Sequence, residues 1–225
     1  MNTAMTASTP IGQIAVEHPL ATRVFARHRI DYCCGGGKSL GEVCRAKGLD
    51  PVRVLDEIRH EIEPADFAAQ RWDEAPLRDL IDHILERYHR PLQEELSRLD
   101  GMAEKVFRVH GDKDPDRLAS LVAVYRVMKA ELEDHMVKEE QILFPMILRG
   151  QGAGARGPVS VMLREHTEAS AALQELRALT DNYVAPADAC TTWRALWHGL
   201  AALERDLHEH IHLENNVLFP RALAS

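Results

Sequence analysis

Two eleven-residue segments of the chain, 75 positions apart, carry the same arrangement of a histidine and a glutamate. HMVKEEQILFP spans 135–145 and HIHLENNVLFP spans 210–220. Residues four apart on a helix lie on the same face, so each segment presents one imidazole and one carboxylate to a common point. The residues with this spacing are His135 with Glu139 and His210 with Glu214. We assign no chemistry to the terminal Leu-Phe-Pro: its Leu and Phe are expected to close the apolar end of the bundle, and the second copy is expected to end the last helix.

A further histidine precedes each segment at a similar distance. His89 lies 46 residues before His135, and His166 lies 44 residues before His210. The pattern indicates two helical hairpins, each with one histidine on its first helix and His-x-x-x-Glu on its second. In a buried core each of these polar groups would cost about 1–3 kcal/mol without a partner, and a metal site satisfies them all. Imidazoles and carboxylates without thiolate suit a pair of first-row ions; we choose iron and leave manganese and zinc open.

Two glutamates near these histidines are candidates for a supporting role. Glu131 lies one turn before His135, and Glu165 adjoins His166. Either could relay protons to the metal or line an entrance to it, because a ligating imidazole commonly donates its other N–H to a carboxylate. The alternative is that both glutamates face solvent.

The remaining histidines are expected to take no part in metal binding. His208 and His212 lie two positions either side of His210, about 200° around the helix, so we expect them at the surface. His83 is expected either to support the site or to be exposed. The others are expected to be ordinary surface or packed residues: His18, His28, His60, His110 and His198.

Four long segments after Ala75 have apolar residues every three and four positions, which is typical of amphipathic helices. We predict an all-α, up-down-up-down four-helix bundle, because the connections are short enough to join antiparallel neighbours. Pro91 removes a backbone donor and is expected to bend the first helix. The predicted helices span about 76–109, 115–148, 158–180 and 190–217.

Residues 1–63 have shorter helical segments and are predicted to form a small helical N-terminal domain. Ser39 and Glu42 have the spacing of a capping box. The stretch DYCCGGGK, 31–38, is predicted to be irregular. The predicted short helices span 11–16, 20–28, 39–47 and 51–62, residues 64–75 form a linker, and 76–225 form the bundle.

Charge and composition argue against several classes of function. The formal net charge of −8 repels nucleic acid and anionic lipid. The sequence has no signal peptide and no run of about 18 apolar residues, so we expect a cytoplasmic protein that binds neither nucleic acid nor membrane. The cysteines are too few and too irregularly placed for a disulfide framework, and none has the CxxC spacing of a zinc site. They are Cys33, Cys34, Cys44 and Cys190.

Several motifs, in order, resemble the repair of iron centres family, which consists of di-iron proteins with a hemerythrin-like bundle and a small N-terminal domain. The resemblance extends from about Ile11 to Ala224. It rests on DYCCGGGKSL (31–40), LIDHILERYH (80–89), HMVKEEQILFPMI (135–147), SVMLREH (160–166), ACTTW (189–193) and HIHLENNVLFPRAL (210–223). It implies two iron ions joined by an oxo or hydroxo bridge. The implied terminal ligands are His89, His135, His166 and His210, and the implied bridging ligands are Glu139 and Glu214.

The resemblance also implies a role in the nitrosative and oxidative stress response, in the repair of damaged iron–sulfur clusters. Two mechanisms fit: reduction of nitric oxide to nitrous oxide at the iron pair, and donation of a labile iron to a damaged cluster. The expected partners are nitric oxide or oxygen, proteins with damaged clusters and an electron donor. A homodimer is left open.

The adjacent thiols of Cys33 and Cys34 match the family's N-terminal signature. They could accept iron or nitric oxide and pass it on, because thiolates are soft ligands. The alternative is a tight turn with partly buried thiols. Cys44 and Cys190 are expected to be ordinary packed cysteines.

The alternative function is a non-catalytic sensor or reversible binder of nitric oxide or oxygen. A hemerythrin-like oxygen carrier would be expected to have a fifth histidine, so four well-placed histidines favour redox or iron-transfer chemistry. A bundle without metal would have to carry two His-x-x-x-Glu segments by chance.

Overall fold

The chain is helical in the residues that the structure describes. A computed structural model of the protein describes residues 5–62 and 71–224, and these ranges contain α-helices and π-helical turns but no strand. None of the helices in these ranges combines the length and the apolar character that crossing a membrane requires. The all-α fold predicted above is confirmed.

The elements fall into two compact units, Ile81–Leu207 and the combination of Met1–Leu80 with His208–Ser225. In chain order the α-helices are α1 (Ile11–Glu17), α2 (Ala21–Arg27), α3 (Leu40–Lys47), α4 (Pro51–Ile62), α5 (Leu77–Ile84), α6 (Arg90–His110), α7 (Pro115–Lys138), α8 (Phe144–Leu148), α9 (Gly152–Leu179), α10 (Thr191–Leu213) and α11 (Phe219–Ala224). The π-helical turns are π1 (Leu85–His89), π2 (Glu139–Leu143) and π3 (Glu214–Leu218). The predicted domain boundaries near residues 63 and 76 stay a prediction, because 63–70 lie outside the described residues.

The unit Ile81–Leu207 is the four-helix bundle. Helix α7 packs against both α6 and α9, and α10 closes the bundle with Trp193 and Trp197, both buried. The Tyr125 hydroxyl lies in this core and donates to the Leu96 carbonyl at 3.0 Å, so its polar atom has the partner that burial requires. The apolar residues that recur every three and four positions in the sequence lie on one face of each helix and form this core.

Helix α9 begins at Gly152, six residues earlier than predicted, and Pro158 lies inside it. The Gly-rich stretch before Pro158 was expected to be a connection on the basis of propensity. Ala155 and Val159 are both buried, however, and tertiary packing of such residues outweighs weak helix propensity.

The other unit contains the four N-terminal helices. Their core includes Ile14, Phe25, Leu40 and Ile58, all of which are fully buried. Helix α3 begins with the predicted capping box, in which the Ser39 hydroxyl accepts from the Glu42 N–H and the Glu42 carboxylate accepts from the Ser39 N–H. The prediction for α4 is confirmed at both ends, and the other three helices begin or end within one residue of prediction.

The C-terminal residues 208–225 belong to the same unit. Helix α11 continues beyond the second Leu-Phe-Pro, so the expectation that this motif ends the helix is wrong. Arg221 of α11 donates to the carbonyls of Trp72 and Ala75 at 2.7 and 2.6 Å. These two residues belong to the predicted linker, most of which lies outside the described residues.

Candidate metal centre

Three of the six candidate ligands lie at the ends of the three π-helical turns, and the other three lie in α-helices. His89 is the last residue of π1, Glu139 is the first of π2, and Glu214 is the first of π3. In each turn the residue that follows donates its N–H to a carbonyl five residues back; the donors are Arg90, Phe144 and Phe219. π-Helical turns within α-helices are frequent at functional sites.

Each π-helical turn has a proline two residues beyond its end. The prolines are Pro91, Pro145 and Pro220. A proline has no N–H and its ring clashes with the carbonyl four residues earlier, so the regular α-helical ladder cannot pass through it. The wider turn just before the proline lets the helix continue. The bend expected at Pro91 is therefore a π-helical turn that ends at His89.

Within the unit Ile81–Leu207, three histidines converge on one buried glutamate. The Nε2 atoms of His89 and His135 lie 3.4 and 3.3 Å from the same oxygen of Glu139, Oε2. The Nε2 atom of His166 lies 3.0 Å from that of His135. All four residues are at most 3% exposed, and the ligand atoms of His135, Glu139 and His166 lie within 4.8 Å of one another.

Two outer carboxylates fix the orientation of two of these imidazoles. Glu140 lies 2.8 Å from His89 Nδ1, and Glu165 lies 2.9 Å from His135 Nδ1. A carboxylate accepts a hydrogen bond, so these contacts place the proton on Nδ1 and leave the Nε2 lone pair facing Glu139. Two nitrogen lone pairs and a carboxylate oxygen then face one another in a buried space. A cation bound between them would remove this repulsion, so the donor set fits a metal ion.

The unit that contains 208–225 holds the second His-x-x-x-Glu pair. His210 Nε2 lies 2.9 Å from Glu214 Oε1, and both residues are at most 2% exposed. The first pair has the same spacing along the helix, with 3.3 Å between His135 Nε2 and the Glu139 carboxylate. Both copies of the repeated segment thus form a buried imidazole–carboxylate pair.

A cavity of about 220 Å³ leads to His135 and His166 from the surface of the bundle. Glu131, Lys138 and Glu165 are among its lining residues. Lys138 donates to Glu165 at 2.6 Å, and the same carboxylate accepts from His135 Nδ1. Burial acts to raise the pKa of Glu165, but the hydrogen bonds from Lys138 and His135 outweigh it and lower the pKa below its usual value. Both glutamates that the sequence suggested therefore line the cavity, and only Glu165 contacts a histidine.

The structure contradicts one expectation about the histidines next to His210. His212 is buried, not at the surface, and burial lowers its pKa to about 4. It lies edge-on to the ring of Tyr32 and close to Asn216, whose amide nitrogen is 3.1 Å from His212 Nδ1. The 200° separation from His210 is retained, but the opposite face of the helix is covered by the N-terminal segment. His83 is half-buried and packs edge-on against Tyr88.

The loop with the adjacent cysteines lies against the start of π3. Asn215 and Asn216 each donate to the Cys33 carbonyl at 3.2 Å. Hydrogen bonding with Cys34, burial and the charge of Asp31 raise the pKa of the Cys33 thiol well above its usual value. The backbone of this loop is thus held by the two residues that follow Glu214, and the loop is irregular, as predicted.

The expectation for Cys44 is confirmed, and the expectation for Cys190 is wrong. Cys44 is fully buried, as expected of a packed residue. Cys190 is exposed, so the expectation that it is packed is wrong; its sulfur lies 3.2 Å from His110 Nε2.

Sequence reasoning missed the residues that hold the ligands in place. Glu140 and Lys138 flank Glu139, yet only the structure shows that Glu140 reaches His89 and that Lys138 reaches Glu165. Asn215 and Asn216 follow Glu214 directly. Two adjacent asparagines directly after a candidate ligand were the only sign in the sequence that these side chains bind another segment.

Two protein-family models match the chain. The hemerythrin HHE cation binding domain matches residues 80–222, and ScdA_N, a domain of unknown function, matches residues 7–62. The chain is 47% identical over 219 residues to the iron-sulfur cluster repair protein YtfE of Escherichia coli, with 96% of each chain covered. The same identity and coverage hold for the protein of that name from Escherichia fergusonii. The range that matches the cation-binding domain includes all six ligands inferred from the sequence.

Proposed function

Because the chain belongs to the repair of iron centres family, we propose that it helps to repair damaged iron–sulfur clusters through a pair of bound iron ions. The convergence of His89 and His135 on one oxygen of Glu139 is the observation that carries the proposal. The name of its relatives from two Escherichia species supports the proposed target, since both are iron-sulfur cluster repair proteins.

The proposed ligands are the six residues derived from the sequence. Four imidazoles would bind as terminal ligands and two carboxylates would bridge: His89, His135, His166, His210, Glu139 and Glu214. The three histidines around Glu139 support the first half of this assignment. The buried His210–Glu214 pair supports the second half, because a duplicated segment that forms the same kind of buried pair is expected to bind metal in the same way.

When bound, the ferrous ions would supply two electrons, with which two nitric oxide molecules and two protons give nitrous oxide and water. The chain's own contribution is to bind the ions and to deliver protons. Lys138 and Glu165 lie in hydrogen-bond contact within the cavity, and Glu165 contacts His135 Nδ1. We propose that this chain of groups moves protons toward the metal ligands, with Glu131 at the cavity wall.

Donation of iron is the second mechanism within the same proposal. It needs an ion that can leave, and the cavity beside His135 and His166 supplies a route for small ligands to compete with the protein. The proposed setting is a reducing cytoplasm, in which adjacent thiols such as Cys33 and Cys34 stay reduced. The role of these cysteines in transferring iron or nitric oxide stays a prediction.

Anaerobic reconstitution with ferrous iron followed by nitric oxide tests the reductive mechanism. We expect two iron ions per chain and about one nitrous oxide per chain in a single turnover, measured by iron assay and gas chromatography. Two bound irons without nitrous oxide in the presence of reductant would contradict nitric oxide reduction and favour the reversible binder. A parallel assay should measure how far the iron-loaded chain restores an iron–sulfur enzyme inactivated by nitric oxide.

Removing an outer carboxylate should weaken iron binding without touching a ligand. Glu165→Ala is expected to lower the affinity for ferrous iron by about 10–100-fold, because His135 loses the partner of its Nδ1 proton. Glu165→Gln retains an oxygen acceptor and should preserve most of the affinity. Competition with a chelator measures both.

The matched control is Glu168→Ala. Glu168 lines the same cavity, and its carboxylate lies 3.7 Å from Arg164 on the exposed face of α9. It should bind iron as the unchanged protein does. Equal affinities for Glu165→Ala and Glu168→Ala would show that the carboxylate beside His135 has no supporting role.

A further inference from the structure

The loop 31–38 brings together three potential metal ligands, none of which is among the six proposed iron ligands. The sulfurs of Cys33 and Cys34 lie 3.8 Å apart, and Asp31 Oδ1 lies 3.1 Å from Cys33 Sγ. The ligand atoms of all three residues lie within 4.8 Å of one another. We propose that Asp31, Cys33 and Cys34 form a second metal site, which binds one thiophilic divalent cation per chain.

The distance between the sulfurs matches a tetrahedral ion. Two metal–sulfur bonds of about 2.3 Å at the tetrahedral angle place the sulfurs about 3.8 Å apart. The observed 3.8 Å is far longer than the roughly 2.05 Å of a disulfide bond. A shift of about half an ångström at Asp31 would bring its oxygen to the sulfur–oxygen separation of about 3.6 Å that the same geometry requires.

The loop is held in this geometry mainly by backbone contacts, and Asn215 Nδ2 also lies 4.0 Å from Cys34 Sγ. The Cys34 N–H donates to Asp31 Oδ1 at 3.0 Å, and the Cys33 carbonyl accepts from Asn215 and Asn216. The backbone around the thiols is therefore fixed before an ion binds. Preorganisation of this kind lowers the cost of assembling the ligands around an ion.

The ligand set indicates which cations the site takes. Two thiolates and one carboxylate select zinc and ferrous iron over magnesium and calcium, which prefer oxygen ligands alone. On binding, the divalent ion replaces the thiol protons of Cys33 and Cys34, and two protons pass to solvent. Three protein ligands leave the fourth tetrahedral position for water, as in sites that exchange their ligands. The inference does not rest on the proposed function, because the histidine–glutamate residues take no part in it.

Cobalt(II) is a suitable probe, because a thiolate-to-cobalt charge-transfer band reports sulfur ligation and the histidine–glutamate residues contain no sulfur. The full chain is loaded with iron, treated with a chelator until two irons per chain remain, and then titrated anaerobically with cobalt(II) while its thiols are kept reduced. We expect the band to saturate at one equivalent per chain and to disappear when one equivalent of zinc(II) is added. Absence of the band, or saturation at half an equivalent per chain, would overturn the single-chain site.

Substitutions locate the site within the chain. Cys33→Ser and Cys34→Ser should each abolish the band, and Asp31→Asn should weaken cobalt(II) binding by about tenfold or more while keeping the oxygen that accepts from the Cys34 N–H. Cys190→Ser is the matched control, since this exposed cysteine belongs to the other compact unit and its loss should leave the band unchanged. A band that survives in the double serine variant, or that Cys190→Ser removes, would overturn the assignment.

A measurement on the unchanged protein avoids any effect of substitution on folding. Cys34 is half-buried and should be alkylated at a measurable rate, which one equivalent of zinc(II) is expected to slow at least tenfold. The rate at Cys190 should not change. Equal rates at Cys34 with and without zinc(II), followed by mass spectrometry, would contradict the proposed site.

Discussion

Replacing Glu139 by alanine is expected to leave at most one iron ion per chain, where the unchanged protein is expected to hold two. The carboxylate of Glu139 lies within 3.4 Å of Nε2 of both His89 and His135, so it is the group that both imidazoles face. Removing it deletes the bridging ligand of the proposed centre. Iron stoichiometry after anaerobic reconstitution, together with the absorption spectrum, measures the effect.

The same variant should separate loss of metal from loss of fold. Glu139 is fully buried, and a buried carboxylate without its cation is costly, so the iron-free variant should unfold at the same temperature as the iron-free parent or higher. The increase in Tm that iron gives the parent should shrink in the variant, because that increase depends on the affinity of the folded state.

Glu133→Ala is the matched control for Glu139→Ala. Glu133 lies on α7, before Glu139 in the chain, and it pairs with Lys129 at 2.9 Å on the half-exposed face. This variant should retain two irons. If Glu139→Ala also bound two irons with an unchanged spectrum, alone and in combination with Glu214→Ala, the bridging assignment would be wrong.

Placing a methyl group on Gly36 is expected to destabilise the unit that contains the thiol loop by about 1–3 kcal/mol. A Cβ at this position would overlap Asn216 Oδ1 and lie 3.0 Å from the Tyr32 carbonyl oxygen. The amide nitrogen of Asn216 donates to the Cys33 carbonyl, which restrains it, and its oxygen packs close to Gly12 as well, because a Cβ added there would lie 2.5 Å from that oxygen. The free energy of unfolding and the alkylation rate of the buried Cys33 report the change.

Gly37→Ala is the matched control for Gly36→Ala within the same triple glycine. A Cβ on Gly37 would meet no atom within 4 Å, so the change in unfolding free energy should stay within about 0.5 kcal/mol. Asn216→Ala should partly relieve the effect of Gly36→Ala, which makes the double variant less destabilised than the sum of the two. Equal unfolding midpoints for Gly36→Ala and Gly37→Ala would contradict the close packing of the loop on π3.

The periodic features of the chain were predictable from the sequence because they depend on spacing alone. Four residues on a helix return the side chain to the same face, and this spacing by itself pairs His135 with Glu139 and His210 with Glu214. The capping box at Ser39 is equally local, because both hydrogen bonds join residues three apart. The bundle follows from the same periodicity extended over longer segments.

Features that depend on contacts between distant segments were not predictable in this way. Glu140 supports His89 across 51 residues of sequence, and Glu165 supports His135 across 30. The burial of His212 arises where Tyr32 packs against it, 180 residues earlier in the chain. Neither residue propensity nor spacing within α10 predicts which distant segment covers the face opposite His210.

Local sequence determined the ligand types, their spacing and the helices that carry them, because these properties depend on side-chain chemistry and on a repeat of 3.6 residues per turn. Tertiary structure alone decided where Glu140 and Glu165 place the imidazole protons, that α9 starts at Gly152, and that Asn215 and Asn216 hold the thiol loop. Each of these depends on the packing free energy of segments far apart in the chain, which outweighs the small preferences of single residues.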